Sequence, residues 1–494
     1  MLRSIQKKNL GSCPAPTGGS PSTPNPISIA LGNKFLDEAD IQSVGFSLHR
    51  FYNSGNTGRY ITANSGRVGS FGPGWSHTFE ARLDVSMTIS GSFAAIIAAQ
   101  RPDGRTLTFV RMSVLGPWVS DADISERIID VRDAAGVVIG YQLVDRGDRV
   151  ESYDSAGLLQ SIVDQRRSQS FALIRDSAGR VMSVTDRSGR ALSFKYNSMN
   201  RIVGIFEPGV DPSDPSATAW GYGYDASGRL VSVTSPAAGT REYHYEDVTF
   251  PDALTGVTDE AGRRYASYSY DVQGRAYAEN LWAGPGQTLP VNQFTLTFQP
   301  NKLTHVVDPL GKARDYQFKI VQGVAVLENV SDLCALCGGS GATESRTYDP
   351  VTGFTDLVTD FNGGVTDFDY DSRGLEAKRI DASNDLSPPA ASSKRTTETI
   401  WNPNFRVPDQ RTVKNASGAT ESLTKWVYNT RGQPTARCEV DPAIGSATSY
   451  TCGSATNAPV GVRQTRTTYC EQPDVTAGSC PLVGLVTSVN GPRA

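Results

Sequence analysis

An aspartate followed three positions later by glycine, and usually by arginine after that, recurs along this chain so often that few folds remain open to it. The form with a leading tyrosine is Tyr153-Asp154-Ser155-Ala156-Gly157, Tyr224-Asp225 to Gly228-Arg229, Tyr270-Asp271 to Gly274-Arg275 and Tyr370-Asp371 to Gly374. A second form replaces tyrosine by Thr or Val: Asp186 to Gly189, Asp259 to Gly262, Asp308 to Gly311 and Asp360 to Gly363. Weaker copies run from Asp176 to Gly179 and from Asn429 to Gly432. Neighbouring copies are 10 to 12 residues apart (Asp176 to Asp186, Asp360 to Asp371, Asp259 to Asp271), and a doubled unit is 22, from Asp154 to Asp176. That length holds one strand and one tight turn. Aspartate opening a type I turn accepts hydrogen bonds from N–H groups ahead of it, and glycine takes the positive φ that closes a bulged hairpin. Between turns the residues alternate, as in Val181-Met182-Ser183-Val184-Thr185, so neighbours point to opposite faces of a pleat. A lone hairpin is marginal, so the hairpins must stack into one array. The fold class expected is all-β.

Composition narrows the function. The 494 residues carry 47 Lys+Arg against 51 Asp+Glu, a net charge of −4. That balance disfavours nucleic acid, whose binding rests on concentrated cations, and an anionic membrane surface. Gly and Pro, 48 and 28 residues, are frequent enough for many turns and too few for a disordered chain. The uncharged stretch from Val85 to Gln100 holds Ser, Thr and Gly and is too short to span a bilayer. Met1 to Lys8 is basic, but Gly11 to Pro26 supplies no apolar run for a signal peptide.

These residues resemble a known family. Tyr-Asp-x-x-Gly-Arg alternating with Thr-Asp-x-x-Gly is similar to the YD repeats of RHS (rearrangement hot spot) proteins, shared with toxin-complex shell proteins and teneurins. Upstream, Pro26 to Lys34, Leu48-His49-Arg50-Phe51-Tyr52-Asn53-Ser54 and Gly72-Pro73-Gly74-Trp75-Ser76-His77 resemble ordered motifs of the domain that precedes such repeats. The resemblance implies a β-ribbon spiralling into part of a hollow shell around a C-terminal toxic polypeptide. It also implies a core region with an aspartyl self-cleavage pair, absent before Asn490-Gly491-Pro492-Arg493-Ala494, so the chain is expected to be the N-terminal part of a longer protein or a truncated relic.

Candidate chemistry is sparse. Asp308-Pro309-Leu310-Gly311 resembles one arm of the self-cleavage motif, and Asp349-Pro350-Val351-Thr352-Gly353 has one residue too many; each reads more simply as a turn. Asp367, Asp369 and Asp371 resemble a calcium loop but Ser372 and Lys378 stand where Gly and Glu are needed. Cys334 and Cys337 have zinc-knuckle spacing without a second pair. Cys438, Cys452, Cys470 and Cys480 suggest local disulfides, with inert thiol, metal or redox roles as the alternatives. The adjacent Ser76-His77 cannot form a triad, since neighbours on a strand point apart. No catalytic, cofactor or metal residue is expected, and no cofactor.

The expected organisation is a flexible leader over 1–25, a β domain over 26–150, the repeat ribbon over 151–437 and an irregular or partial-repeat segment over 438–494. The expected function is a shell portion of a secreted or cell-surface protein, its partner a C-terminal toxin cargo. The alternative is a surface adhesin that binds a glycan or protein.

Overall fold

The computed structural model describes residues 21–492 apart from 44, 58–68, 87–94, 114, 215, 218, 238, 283–288, 333–341 and 390. Two three-stranded antiparallel sheets come first: β1 (Phe35–Ser43), β2 (Phe46–Asn53) and β3 (Trp75–His77), then β4 (Arg82–Ser86), β5 (Ala95–Gln100) and β6 (Thr106–Arg111). A single sheet of 28 strands follows, from β7 (Arg127–Arg132) to β34 (Val486–Asn490). Each strand pairs antiparallel with the one before and the one after it. Among the described residues no ladder joins β34 to β7, so the sheet is an open ribbon. The all-β expectation holds.

The turns show why the sequence folds this way. In the copy at Asp225, the Gly228 N–H donates to the Asp225 carbonyl at 3.0 Å and the Asp225 N–H to the Arg229 carbonyl at 3.1 Å. The Asp225 carboxylate accepts from the N–H of Ser227 (2.9 Å) and of Arg229 (3.0 Å), and its second oxygen takes the Arg229 guanidinium at 2.6 Å. Gly228 sits at φ 75°, where a side chain would clash. The carboxylates of Asp154, Asp176, Asp186, Asp259, Asp271, Asp308, Asp360 and Asp371 each accept the same two backbone bonds. The glycines Gly157, Gly179, Gly189, Gly262, Gly274, Gly311, Gly363 and Gly374 all have positive φ. The Arg180 N–H and guanidinium hold the Asp176 carboxyl below the usual aspartate range.

The tyrosines before these turns tie one hairpin to the last. Tyr224 donates its hydroxyl to the Ile202 carbonyl (2.6 Å), Tyr270 to Leu254 (2.7 Å), Tyr348 to Leu327 (2.6 Å) and Tyr428 to Pro408 (2.7 Å). Tyr370 instead packs on Phe354, with ring centroids 5.0 Å apart. Tyr153, on β9 (Val150–Asp154), gives its hydroxyl to Glu151 at 2.5 Å.

Two boundaries differ from the sequence reading. The ribbon begins at Arg127, ahead of residue 151, because Asp133 to Gly136 builds the same turn, with Gly136 N–H on the Asp133 carbonyl at 3.0 Å. Residues 21–25 are packed: Thr23 is buried and its hydroxyl bonds the buried Glu279. Beyond Cys438 the ladder continues through β33 (Val462–Tyr469) and β34, with the short helices α1 (Gly445–Thr448) and α2 (Gln472–Thr476) between. Alternating Thr and Arg in Val462–Tyr469 suit a strand with both faces partly wet.

Candidate functional site

The two small sheets sit on one face of the ribbon and are held there by buried polar groups. Arg50 on β2 is 1% exposed. Its guanidinium donates to both Asp40 oxygens (3.0 and 2.9 Å) and to the Tyr243 hydroxyl (3.1 Å), and stacks on Trp75, 4.7 Å from the ring. Tyr222 donates to the same Asp40 carboxylate at 2.9 Å. Tyr222 and Tyr243 belong to β15 (Trp220–Tyr224) and β17 (Gly239–His244) of the ribbon, so this network fastens the N-terminal sheets to the wall. Burial disfavours the Arg50 cation, but the Asp40 charge outweighs it, and the guanidinium stays protonated.

A second fastening joins Arg101 to Glu151 on β9, with bonds of 2.6 and 2.7 Å. Burial pushes the Glu151 carboxyl up, yet Arg101 overrides it and the acid falls to about 2. Tyr52 accepts the Leu254 N–H at 2.9 Å and donates to the Asp252 carbonyl, and the Trp75 indole N–H reaches the Tyr245 hydroxyl at 2.8 Å. Lys34 is fully buried, its Nζ on the Phe35 carbonyl (3.0 Å) and 4.1 Å from the Tyr268 ring. Burial lowers it to about 7. Backbones come close as well: a Cβ on Gly72 would meet the Gly228 carbonyl, and one on Gly157 the Leu83 carbonyl. The N-terminal sheets act as a plug against the early ribbon.

The later ribbon is less buried on that face among the described residues. Followed through the strand register, the face of Tyr222 and Tyr243 carries Arg346, Val358, Phe368, Arg379, Thr397 and Val413. All six are half-buried. The strands β27 (Val365–Tyr370), β28 (Glu376–Asp381) and β30 (Pro408–Lys414) contribute no buried residue. Charges on this stretch pair locally: Arg346 with Glu344 at 2.7 Å and Arg379 with Asp381 at 3.2 Å.

The ribbon also returns on itself. The Gly484 carbonyl accepts from the Ser168 hydroxyl (2.8 Å) and the Gln433 amide (2.9 Å), and Gln433 also donates to Ser168 at 3.0 Å. Arg187 donates to the carbonyls of Ser168 and Val483. The Arg406 N–H meets Asp148 at 2.6 Å. Turns more than 250 residues apart thus lie edge to edge along a seam.

The candidate residues fall as follows. Asp308 and Asp349 each spend a carboxylate oxygen on N–H groups of their own turns. Asp369 lies 3.6 Å from Lys378 across the sheet. Cys438 and Cys452 form one disulfide, and Cys470 and Cys480 another; Cys334 and Cys337 lie outside the described residues. No group of three metal-ligating side chains occurs among the described residues, and no helix there is long and apolar enough to cross a membrane. His77 is buried and burial keeps it neutral. The sequence reading missed one polar trio, Ser47, His49 and Asp37: the imidazole lies 3.1 Å from the Ser47 hydroxyl and 2.6 Å from the Asp37 carboxylate. It lies on partly exposed strands, away from the cavity of about 430 Å³ between the plug and the turns at Arg180 and Arg201. That cavity is lined by Glu80, Arg175 and Tyr196, and Glu80 is held there by the Ser70 N–H and hydroxyl.

Comparison with known proteins places this geometry. The family described as "Domain of unknown function (DUF6531)" matches residues 24–109, the plug, and the family "RHS Repeat" matches residues 175–205 of the ribbon. A comparison with curated proteins finds no match. Among solved structures, the crystal structure of TcdB2-TccC3 without its hypervariable C-terminal region is similar over 89% of this chain and 26% of its own, at 11% identity and TM-score 0.42. The TcdB2-TccC3-Cdc42 structure is similar over the same shares at 10% identity and TM-score 0.38. The Tc holotoxin pore of Photorhabdus luminescens matches over 81% of this chain and 26% of its own, at 10% identity and TM-score 0.28. The chain spans about a quarter of the length of these structures. With the plug carrying one family match and the hairpin ribbon the other, the chain is consistent with an RHS/YD-repeat protein.

Proposed function

We propose that this chain is a section of a shell wall that shelters a polypeptide cargo, and that it works without chemistry of its own. The observation that carries the reading is the division of one sheet face. The plug occupies the early strands, while on the same face Arg346, Val358, Phe368, Arg379, Thr397 and Val413 are half-buried and, among the described residues, have no plug strand paired over them. A wall whose backbone groups are already paired in ladders presents mainly side chains there, and locally paired charges hold a chain loosely. The two disulfides support assembly in an oxidising compartment, and with it secretion or surface display. The cargo would be a C-terminal toxin used against other cells.

The test is protection. An unfolded, protease-sensitive polypeptide fused after Ala494 should resist added protease at least tenfold longer than the same polypeptide alone. Equal digestion rates, with the wall intact, would overturn the reading. Binding of the purified chain to cell-surface glycans without any protection would favour the adhesin instead.

A further inference from the structure

We propose that the Cys470–Cys480 disulfide is a reducible strap on the seam, so that a dithiol reductant loosens the place where the ribbon meets itself. Three observations meet here. First, the disulfide closes residues 470–480, a loop that carries α2 and leads three residues later into Val483 and Gly484. Those residues are the ones whose carbonyls accept the Ser168, Gln433 and Arg187 bonds across the seam. Second, apart from bonds inside the loop, such as those of the Ser479 and Cys480 N–H groups to the Asp474 carbonyl at 3.0 and 3.3 Å, its ties to the neighbouring strands are non-covalent. The Glu471 carboxylate pairs with Arg431 (2.7 Å to each nitrogen) on a largely exposed surface, and two backbone bonds join Cys470 to Gly484 and Leu485. Third, the two disulfides differ in access. Cys438 and Cys452 are both buried, at 0% and 6% exposed, whereas Cys470 is buried and Cys480 only half-buried. Cys480 is therefore the more open end of this disulfide, and the one a thiolate would attack.

The exchange balances in two steps. A thiolate of the dithiol attacks Cys480 Sγ; the protein S–S bond breaks as the mixed disulfide forms, and Cys470 leaves as a thiolate and takes a proton. The second thiol of the reductant then displaces Cys480, which also takes a proton, and the reductant ends as its own disulfide. Two electrons and two protons pass to the protein. The freed loop keeps its backbone bonds but loses the covalent link at Cys480 that anchors the stretch leading into residues 481–484 and the turn at Ser168.

Amide hydrogen exchange read by mass spectrometry tests this on the whole chain. Treatment with dithiothreitol should raise exchange at least tenfold in segments 165–168 and 481–485, and less than twofold in β15 and β17. The Cys470→Ser/Cys480→Ser variant, kept oxidised, should show the same local rise. The Cys438→Ser/Cys452→Ser variant should leave the seam protected. Unchanged seam protection after the Cys470–Cys480 bond is verified as reduced would overturn the proposal, as would equal loosening by the Cys438→Ser/Cys452→Ser variant. Reduction of the native protein is read without any variant, so a misfolding mutant does not decide the outcome. The readout is the seam alone, so its failure is distinguishable from failure of the sheltering role.

Discussion

Replacing Arg50 by Met should release the plug from the wall without unfolding the ribbon. The guanidinium makes two bonds to Asp40 and two to the Tyr243 hydroxyl, at 2.9 to 3.1 Å, and covers Trp75. Methionine fills a similar volume but leaves the Asp40 carboxylate, 3% exposed, with the Tyr222 hydroxyl as its remaining partner in this network. Removing one member of a buried ion pair costs about 3–5 kcal/mol, chiefly because the other charge is stranded. If that cost falls on docking, amides of β2 and β3 should exchange on the order of a hundred to a thousand times faster, since local opening is read directly by exchange. Replacing both charges by apolar residues, Asp40→Leu with Arg50→Met, should recover at least half of the lost protection, because no charge is stranded. A less than fivefold rise for Arg50→Met would refute the argument. So would a double variant that exchanges faster than the single one, which would show that shape rather than charge pairing holds the plug.

Three further outcomes follow from the same contacts. Glu151 falls from an ordinary 4.5 to about 2, so its contribution of about 3 kcal/mol is present above pH 4.5 and lost as pH falls toward 2; acid titration of stability should flatten over that range in Glu151→Gln. Lys34 falls from 10.5 to about 7, so the unfolded chain binds the extra proton between those values and stability should rise with pH from 7 to 10; Lys34→Met should abolish that slope in denaturant titrations. Gly157→Ala, whose Cβ would lie 1.9 Å from the Leu83 carbonyl at φ 77°, should cost at least about 2 kcal/mol, while Gly262→Ala, with open space at φ 73°, should cost about 1 kcal/mol in thermal unfolding.

The ribbon was readable because its information is local. Asp225 and Gly228 fix a turn through bonds spanning four residues, and ten such signals force an antiparallel array. Turns built on other residues were harder to see. Asn197 caps the N–H groups of Met199 and Arg201 with Asn200 at φ 59° in the place of glycine. Asn415 caps a turn closed by Gly418. Asp133 to Gly136 is the Asp-x-x-Gly turn itself, without a tyrosine before it or an arginine after it, and lies ahead of the expected repeat boundary. The docking of the plug was not readable at all. Arg50 and Tyr243 are separated by 193 positions, and no periodicity couples them. The seam is hidden for the same reason: Ser168 and Gly484 meet only once the ribbon has curved through its whole length. The family resemblance supplied a plug and a shell, but not which side chains join them.

The hairpin turns have an evolutionary corollary. Each aspartate satisfies itself within five residues, and each tyrosine anchor reaches back only about twenty, from Tyr224 to Ile202 or Tyr428 to Pro408. A gene that gains or loses a pair of strands therefore leaves every other turn and tyrosine anchor as it was, and disturbs only the new junction and the long-range bonds of plug and seam. Such a ribbon can be lengthened or shortened by unequal recombination between its own units while its building rule stays fixed.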